Sequence, residues 1–227
     1  MMKLKMTIHK IKCINDLVLE LPIEKGLYAI TGQNGSGKST IVACASSVFF
    51  NMRMNDYFGK TEEDAYIAFE LENAKRSWKK IDDRWKKSST GIMNIKGFYE
   101  GSLIFGNRFK DTSYEKLRGV EAIDTDKLIP ANDFIRKNLG NILQGDANFY
   151  ERLWFVSSYY EKFDGTIFYY EKNGKRISQF HMSTGENLLI SILNSLYIRN
   201  NDRANLNKPC IIFLDEIELA LHPSSLK

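Results

Sequence analysis

The most informative part of the sequence is Gly32-Gln33-Asn34-Gly35-Ser36-Gly37-Lys38-Ser39-Thr40, which matches the pattern G-x-x-x-x-G-K-[ST]. Its glycines let the backbone wrap around a phosphate group, and the N–H groups at the start of a following helix favour an anion. The pattern places Lys38 at the β- and γ-phosphates of a nucleotide and makes the Ser39 hydroxyl a Mg²⁺ ligand. It therefore predicts a nucleotide phosphate site rather than an ordinary glycine-rich turn. The expected contributors are Gly32, Asn34, Gly35, Ser36, Gly37, Lys38, Ser39 and Thr40.

The segments on either side of this motif suit a phosphate-binding loop. Residues 27–31 are a short apolar run that ends at Gly32, which predicts a buried parallel strand before the loop. Residues 39–50 are apolar nearly all round, which predicts a buried helix after it. Strands and helices alternate along the rest of the chain as well, and this predicts an α/β fold.

A second motif consists of a strand that ends in two acids. Residues 210–214 form an apolar run that is followed by Asp215-Glu216. Asp215 at the carboxyl end of a buried strand is placed to hold Mg²⁺, directly or through water, and Glu216 is placed to polarise an attacking water. Apolar strands that end in two acids are common, but the phosphate-binding loop in the same chain favours the functional interpretation.

A third motif, Met182-Ser183-Thr184-Gly185-Glu186, opens a helix predicted over residues 183–200. Ser183 as N-cap with Glu186 three residues later is a capping box. A capped helix N-terminus also favours an anion, so a structural and a functional role are compatible here.

Together the three motifs resemble those of the ABC-type ATPases of the SMC, RecF and OLD group. The signature loop of that family reads Leu-Ser-Gly-Gly-Glu or a close variant, and its Ser and Gly contact the γ-phosphate of ATP held by the opposite subunit. The resemblance assigns this role to Ser183, Thr184, Gly185 and Glu186, with Thr184 in place of the first glycine.

Two further segments are similar to this family. Residues 8–14 and 17–21 resemble its opening β-hairpin, and the match puts Lys12 where an Arg often lies near the nucleotide. Residues 219–223 (Leu-Ala-Leu-His-Pro) resemble the Glu-Leu-x-Leu-His-Pro that follows the acidic pair in RecF- and OLD-like members. The glutamine of the family's Q-loop is not placed, and Gln144 and Gln179 are the only candidates.

The resemblance implies a P-loop NTPase sheet of ABC-ATPase type with an N-terminal β-hairpin and an inserted α+β lid. Residues 1–50 and 166–227 are then the two parts of the ATPase core, and residues 51–165 are the lid. In this fold a further strand with a switch histidine follows the acidic pair and lies between the strands of the first two motifs. Because only eleven residues follow Glu216, we expect that the natural protein is longer or that another chain supplies this strand.

Other elements follow from local patterns. Residues 4–21 alternate as two strands, with Asn15-Asp16 as the predicted turn and Pro22 as the end. Residues 66–71 predict a strand, and two helices are expected after Pro130, the second from its spacing of Phe149, Leu153 and Val156. Asn173-Gly174 between β-rich runs predicts a hairpin with a type I′ turn.

Residues 75–87 are rich in Lys and Arg, with Trp78 and Trp85 between them. Basic residues interleaved with aromatics suit nucleic-acid binding. They equally suit a hairpin with inward-facing tryptophans and a solvated basic face, which is the interpretation we favour because Asp82-Asp83 dilutes the charge. His9 and His181 have no companions at metal-ligand spacing, so structural roles are expected for both.

The composition limits the protein class. The chain has 227 residues and a net charge of +4, and it contains no run of the ~18–20 apolar residues that a membrane span needs. Its start lacks the features of a secretory signal, and three widely spaced cysteines indicate neither zinc nor a disulfide framework. We therefore expect a cytoplasmic protein without membrane association, and the mild basic excess leaves DNA binding open.

The expected function is hydrolysis of ATP to ADP and phosphate with ATP and Mg²⁺ as cofactors. Two copies would sandwich two nucleotides, with catalytic roles for Lys38 and Glu216 and metal binding by Ser39 and Asp215. The resemblance is to short-armed ATPases of anti-phage modules (Septu- and retron-associated types), which implies a partner nuclease. The alternatives are a RecF-like DNA-repair ATPase and a non-catalytic scaffold gated by ATP.

Overall fold

A computed structural model describes residues 3–49, 57–101, 123–156, 166–201 and 208–215. In chain order the helices and strands are β1 (Lys3–Ile11), β2 (Ile14–Pro22), α1 (Lys38–Ser46), β3 (Tyr66–Leu71), β4 (Ala74–Ile81), β5 (Arg84–Thr90), β6 (Lys96–Gly101), β7 (Ile129–Pro130), α2 (Asp133–Gln144), β8 (Leu153–Val156), β9 (Ile167–Lys172), β10 (Lys175–Ser178), α3 (Thr184–Asn201) and β11 (Cys210–Asp215). They form two compact units. The first comprises Met1–Tyr99 with Ala204–Asp215, and the second comprises Glu100–Arg203 with Glu216–Lys227.

The first unit contains a five-stranded antiparallel sheet with the order β2-β1-β3-β4-β5. Alternate apolar residues of β1 and β3 share one face, where Met6, Ile8 and Phe69 are fully buried. This face lies against the segment that follows α1, since Trp78 Nε1 in β4 donates a hydrogen bond to Ser47 O (3.1 Å). The sheet therefore supports the helix that begins at the phosphate-binding loop.

The N-terminal hairpin is confirmed, but its predicted turn is wrong. The turn lies at Lys12-Cys13, and Ile11 pairs with Ile14 directly beside it. Both isoleucines are buried, so this register puts two apolar side chains into the core where a turn at Asn15-Asp16 would not. Asp16 lies in β2 instead, where it forms a hydrogen bond with His9 (2.5 Å) that raises the pKa of the histidine.

Residues 66–90, which the sequence analysis assigns to an inserted lid, extend the sheet of the N-terminal hairpin. β3 pairs directly with β1, and β4 and β5 follow it in antiparallel order. The tryptophans of this segment face inward, because Trp78 is buried and Trp85 lies beside Phe58 with ring centroids 6.1 Å apart. The structure thus supports the favoured interpretation of the basic segment as a hairpin with a solvated outer face.

Two strand predictions around the nucleotide motifs need correction. Residues 27–31 do not form a strand, and Leu27 is 99% exposed. A buried strand needs partners for its N–H and C=O groups, and among the described residues no strand pairs with this segment. β11 does form, and within the described part of the chain its one partner is β6, in a two-stranded sheet. Ile212 and Leu214 consequently stay partly exposed where full burial was expected.

The second unit contains a four-stranded sheet with the order β10-β9-β8-β7. It shares a core with α2 and α3, in which Leu139, Tyr150, Leu153, Phe168 and Ile190 are buried. The predicted hairpin is confirmed: Asn173 and Gly174 connect β9 to β10, and both have positive φ (52° and 70°) as a type I′ turn requires.

One of the two helices predicted after Pro130 forms and the other does not. The Asn132 side chain caps α2 by accepting a hydrogen bond from Phe134 N (2.8 Å), and Gly145 ends the helix in a left-handed conformation. The residues expected in a second helix instead contain β8, which pairs with β9. A short apolar run fits either element locally, and the antiparallel partner decides between them.

No helix among the described residues is long and apolar enough to cross a membrane.

Candidate nucleotide site

The phosphate-binding loop leads directly into α1, as predicted. The residues before Gly37 lie in an exposed loop, whereas Thr40 is buried in the helix. Gly37 has a φ of 92°, and a Cβ atom at this position would lie 3.2 Å from Cys13 Sγ and 3.5 Å from Ile14 Cγ1. The backbone conformation therefore favours glycine here, and the β1–β2 turn leaves little room for a side chain.

Lys38 spans this loop with its side chain. Its Nζ donates hydrogen bonds to Gly32 O and Gln33 O, both at 2.8 Å. The first turn of α1 contains no acidic residue, so the N-terminal end of the helix keeps the positive potential that favours an anion. The Lys38 ammonium group and the N-terminal end of α1 thus both face the phosphate-binding loop.

Ser39 and Asp215 are brought together although they lie far apart in the sequence. Ser39 Oγ donates a hydrogen bond to Asp215 Oδ1 at 3.2 Å, because β11 packs against α1. Both groups present oxygen atoms of the kind that Mg²⁺ prefers as ligands. An octahedral Mg²⁺ ion with ligand distances of about 2.1 Å has neighbouring ligands about 3 Å apart, which is close to the distance between these two oxygens. The pair therefore fits a Mg²⁺ ion, with Ser39 and Asp215 as the residues that would hold it.

Tyr99 belongs to this group and was missed by the sequence analysis. It lies in β6, beside β11, and its hydroxyl donates a hydrogen bond to Asp215 Oδ2 at 3.2 Å. Its side chain is buried, with only 4% of the residue exposed. The sequence around Tyr99 predicts no more than a β-like segment. The contact of Tyr99 with Asp215 depends on the pairing of two strands that are distant in sequence.

Lys12 lies in the β1–β2 turn, next to the residue that contacts Gly37. It is exposed and has a φ of 51°. The turn approaches the start of α1, because a Cβ atom at Gly37 would lie 3.2 Å from Cys13 Sγ. Burial raises the pKa of the Cys44 thiol in α1, and the charge of Lys12 acts in the opposite direction. The predicted role of Lys12 near the nucleotide is compatible with this position.

The Ser183–Glu186 loop lies in the second unit and forms the predicted capping box. Ser183 Oγ accepts a hydrogen bond from Glu186 N (3.2 Å), and Ser183 N donates one to Glu186 Oε2 (2.8 Å). Tyr150, another residue that the sequence analysis missed, donates its hydroxyl hydrogen to Glu186 Oε1 at 2.6 Å. Burial and this hydrogen bond raise the pKa of Tyr150. Ser183 and Thr184 are exposed, whereas Gly185 and Glu186 are half-buried.

Neither Q-loop candidate lies in the first unit. Gln144 is the last residue of α2, and Gln179 is buried, where its side chain accepts a hydrogen bond from Phe168 N (3.1 Å). Glu216 and residues 219–223 lie outside the described part of the chain. Among the described residues, no group of three or more His, Cys, Asp or Glu side chains is placed to hold a metal ion.

Comparison with known families identifies the domain. A family profile described as an AAA domain matches residues 5–207. The chain belongs to this AAA domain family. The matched range includes the phosphate-binding loop and the Ser183–Glu186 loop and ends before Asp215. The match supports an ATP-binding P-loop NTPase domain, in agreement with the sequence analysis.

Comparison with individual proteins adds little to the family match. No curated protein matches the chain. One similar solved structure is described as the crystal structure of the SmcHead bound to the C-winged helix domain of ScpA. It is 14% identical, with a TM-score of 0.49, and the similarity covers 98% of this chain and 90% of that one.

Proposed function

We propose that this AAA domain protein is an ABC-type ATPase that hydrolyses ATP to ADP and phosphate with Mg²⁺. The observation that carries the proposal is the hydrogen bond between Ser39 Oγ and Asp215 Oδ1. It joins the helix that follows the phosphate-binding loop to the end of a strand, and it puts two oxygen donors at the start of that helix. Phosphoryl transfer depends mainly on positioning and charge stabilisation, which Lys38 would provide directly and which Ser39 and Asp215 would provide through a bound Mg²⁺.

Each residue then has a defined role. The backbone from Gly32 to Ser39 holds the phosphates, and Lys38 stabilises the negative charge that develops on them. Ser39 and Asp215 hold Mg²⁺, which neutralises phosphate charge when bound. Glu216 follows Asp215 directly, and we assign it the polarisation of the attacking water on the basis of the sequence motif.

We further propose that two copies of the chain form an ATP sandwich, in which Ser183 and Gly185 of one subunit contact the γ-phosphate held by the other. The exposure of Ser183 at the start of α3 supports this, because its hydroxyl and the helix N-terminus are accessible to a ligand on another subunit. The capping box and the hydrogen bond from Tyr150 to Glu186 stabilise the conformation of the Ser183–Glu186 loop.

Mixing two inactive variants of the full-length protein tests the sandwich. Lys38→Met damages the phosphate-binding loop and Ser183→Arg the signature loop, so a mixed dimer keeps one complete site. We expect little phosphate release from either variant alone and about a quarter of the wild-type rate from an equal mixture, because half of randomly formed dimers are mixed and each has one complete site.

The matched control is a mixture of Lys38→Met with Asp215→Asn. Both changes damage the same half of the site, so a mixed dimer has no complete site and no activity should return. Absence of recovery in the first mixture, with both variants folded, would contradict the sandwich, and so would equal recovery in the control.

The biological role rests on the sequence resemblance alone. A partner nuclease, an anti-phage role and DNA binding stay predictions, as does the RecF-like alternative.

A further inference from the structure

We propose that Tyr99 is a positioning residue for the metal-binding carboxylate of Asp215. This inference rests on the proposed function, in which Asp215 helps to hold the Mg²⁺ that accompanies ATP. Tyr99 acts through Asp215, to which its hydroxyl group donates a hydrogen bond.

The two oxygens of the Asp215 carboxylate contact hydroxyl groups from different elements. Oδ1 accepts the hydrogen of Ser39 Oγ from α1, and Oδ2 accepts the hydrogen of Tyr99 from β6, each at 3.2 Å. Two hydrogen bonds on opposite oxygens restrict the rotation of the carboxylate. Oδ1 is thereby kept on the side of Ser39, where the metal would bind.

The burial of Tyr99 makes this contact a specific one. The residue is 4% exposed, and its ring lies on a strand that neighbours β11, so the phenol is held in place by packing. Groups that orient metal ligands in this way influence metal affinity strongly, and their loss typically lowers it about 10–100-fold.

The substitution Tyr99→Phe isolates the hydroxyl, because it keeps the ring and removes only the hydrogen bond. The readout is the affinity of the full-length protein for ATP, measured by isothermal titration calorimetry over a series of Mg²⁺ concentrations and in EDTA. In the wild type, Mg²⁺ should increase the affinity for ATP. We expect Tyr99→Phe to raise roughly tenfold the Mg²⁺ concentration at which half of this increase is reached. ATP affinity in EDTA should stay at the wild-type value, since Lys38 and the loop backbone are unchanged.

The matched control is Tyr66→Phe. This tyrosine lies in β3 of the same unit, where it stacks against His9 with ring centroids 5.0 Å apart, and its substitution should not change the Mg²⁺ dependence. Mn²⁺ binding in the presence of ATP, followed by electron paramagnetic resonance, provides a second readout. It should weaken in Tyr99→Phe and stay unchanged in Tyr66→Phe.

Three results would be decisive. An unchanged Mg²⁺ dependence in Tyr99→Phe overturns the inference, and an equal loss of ATP affinity with Mg²⁺ and in EDTA shows a merely structural role for Tyr99. A wild-type ATP affinity that does not depend on Mg²⁺ removes the metal role of Asp215 and overturns the inference with it. A wild-type protein that binds ATP with Mg²⁺ and releases no phosphate contradicts only the proposed hydrolysis, and the tyrosine variants still decide the inference.

Discussion

Replacing Lys38 with methionine is expected to abolish high-affinity ATP binding while the domain stays folded. Methionine keeps much of the apolar stem but removes the ammonium group, which donates hydrogen bonds to Gly32 O and Gln33 O in the loop. In the proposed complex this group contacts the β- and γ-phosphates. Hydrogen bonds to charged groups contribute about 1.5–3 kcal/mol each, so the loss of two weakens binding by roughly 100-fold or more.

Titration with a fluorescent ATP analogue measures this loss. Lys75→Met is the matched control, since Lys75 is exposed on β4 and pairs with Glu70 (3.5 Å), outside the nucleotide site. The control should bind ATP like the wild type, and both variants should show the thermal unfolding transition of a folded domain. Wild-type affinity in Lys38→Met would contradict the assignment of residues 32–40 as the phosphate site.

Replacing Glu216 with glutamine is expected to separate ATP binding from ATP hydrolysis. Glutamine has nearly the same shape but cannot accept a proton from the attacking water. General base catalysis contributes about 10²–10⁴-fold to a rate, so phosphate release should fall by roughly 100-fold or more. ATP binding should be kept, because Lys38, Ser39 and Asp215 are unchanged.

Two measurements on Glu216→Gln define the outcome. Steady-state phosphate release gives the loss of turnover, and light scattering after size-exclusion chromatography with ATP and Mg²⁺ shows whether the unhydrolysed nucleotide keeps two copies together as a dimer. Glu151→Gln is a suitable control, because Glu151 is exposed and belongs to none of the three nucleotide motifs. Wild-type turnover in Glu216→Gln would remove this residue from the proposed mechanism.

Features that depend on neighbouring residues were predictable from the sequence. The phosphate-binding loop and the start of α1 follow from Gly37 and Lys38, whose backbone conformation and hydrogen bonds are local. The Asn173-Gly174 turn follows from the positive φ of both residues, and the capping box follows from the spacing of Ser183 and Glu186. In each case the interacting atoms lie within a few residues of each other.

Features that depend on distant partners were predicted less well. Residues 27–31 and 149–156 are apolar enough for a strand or a helix, and their actual conformations depend on whether a neighbouring strand pairs with them. The contact of Tyr99 with Asp215 spans 116 residues of sequence, and the contact of Tyr150 with Glu186 also joins separate elements. The roles of both tyrosines can therefore be identified only when the packing of the strands and helices is known.

The position of the β1–β2 turn shows how packing selects one of two local possibilities. Asn15-Asp16 is the better turn sequence, yet the turn forms at Lys12-Cys13 because Ile11 and Ile14 are then both buried. This register also brings Cys13 against Gly37. Burial of two apolar side chains thus outweighs turn preference and fixes the surroundings of the phosphate-binding loop.

The most direct test of the central claim is the release of phosphate from ATP by the full-length protein, measured with Mg²⁺ and again after chelation with EDTA. We predict steady release with Mg²⁺ that rises faster than in proportion to protein concentration, since two copies complete each site, and release at background level in EDTA. ATP binding without any Mg²⁺-dependent release would contradict the proposed hydrolysis and favour a scaffold that is gated by ATP.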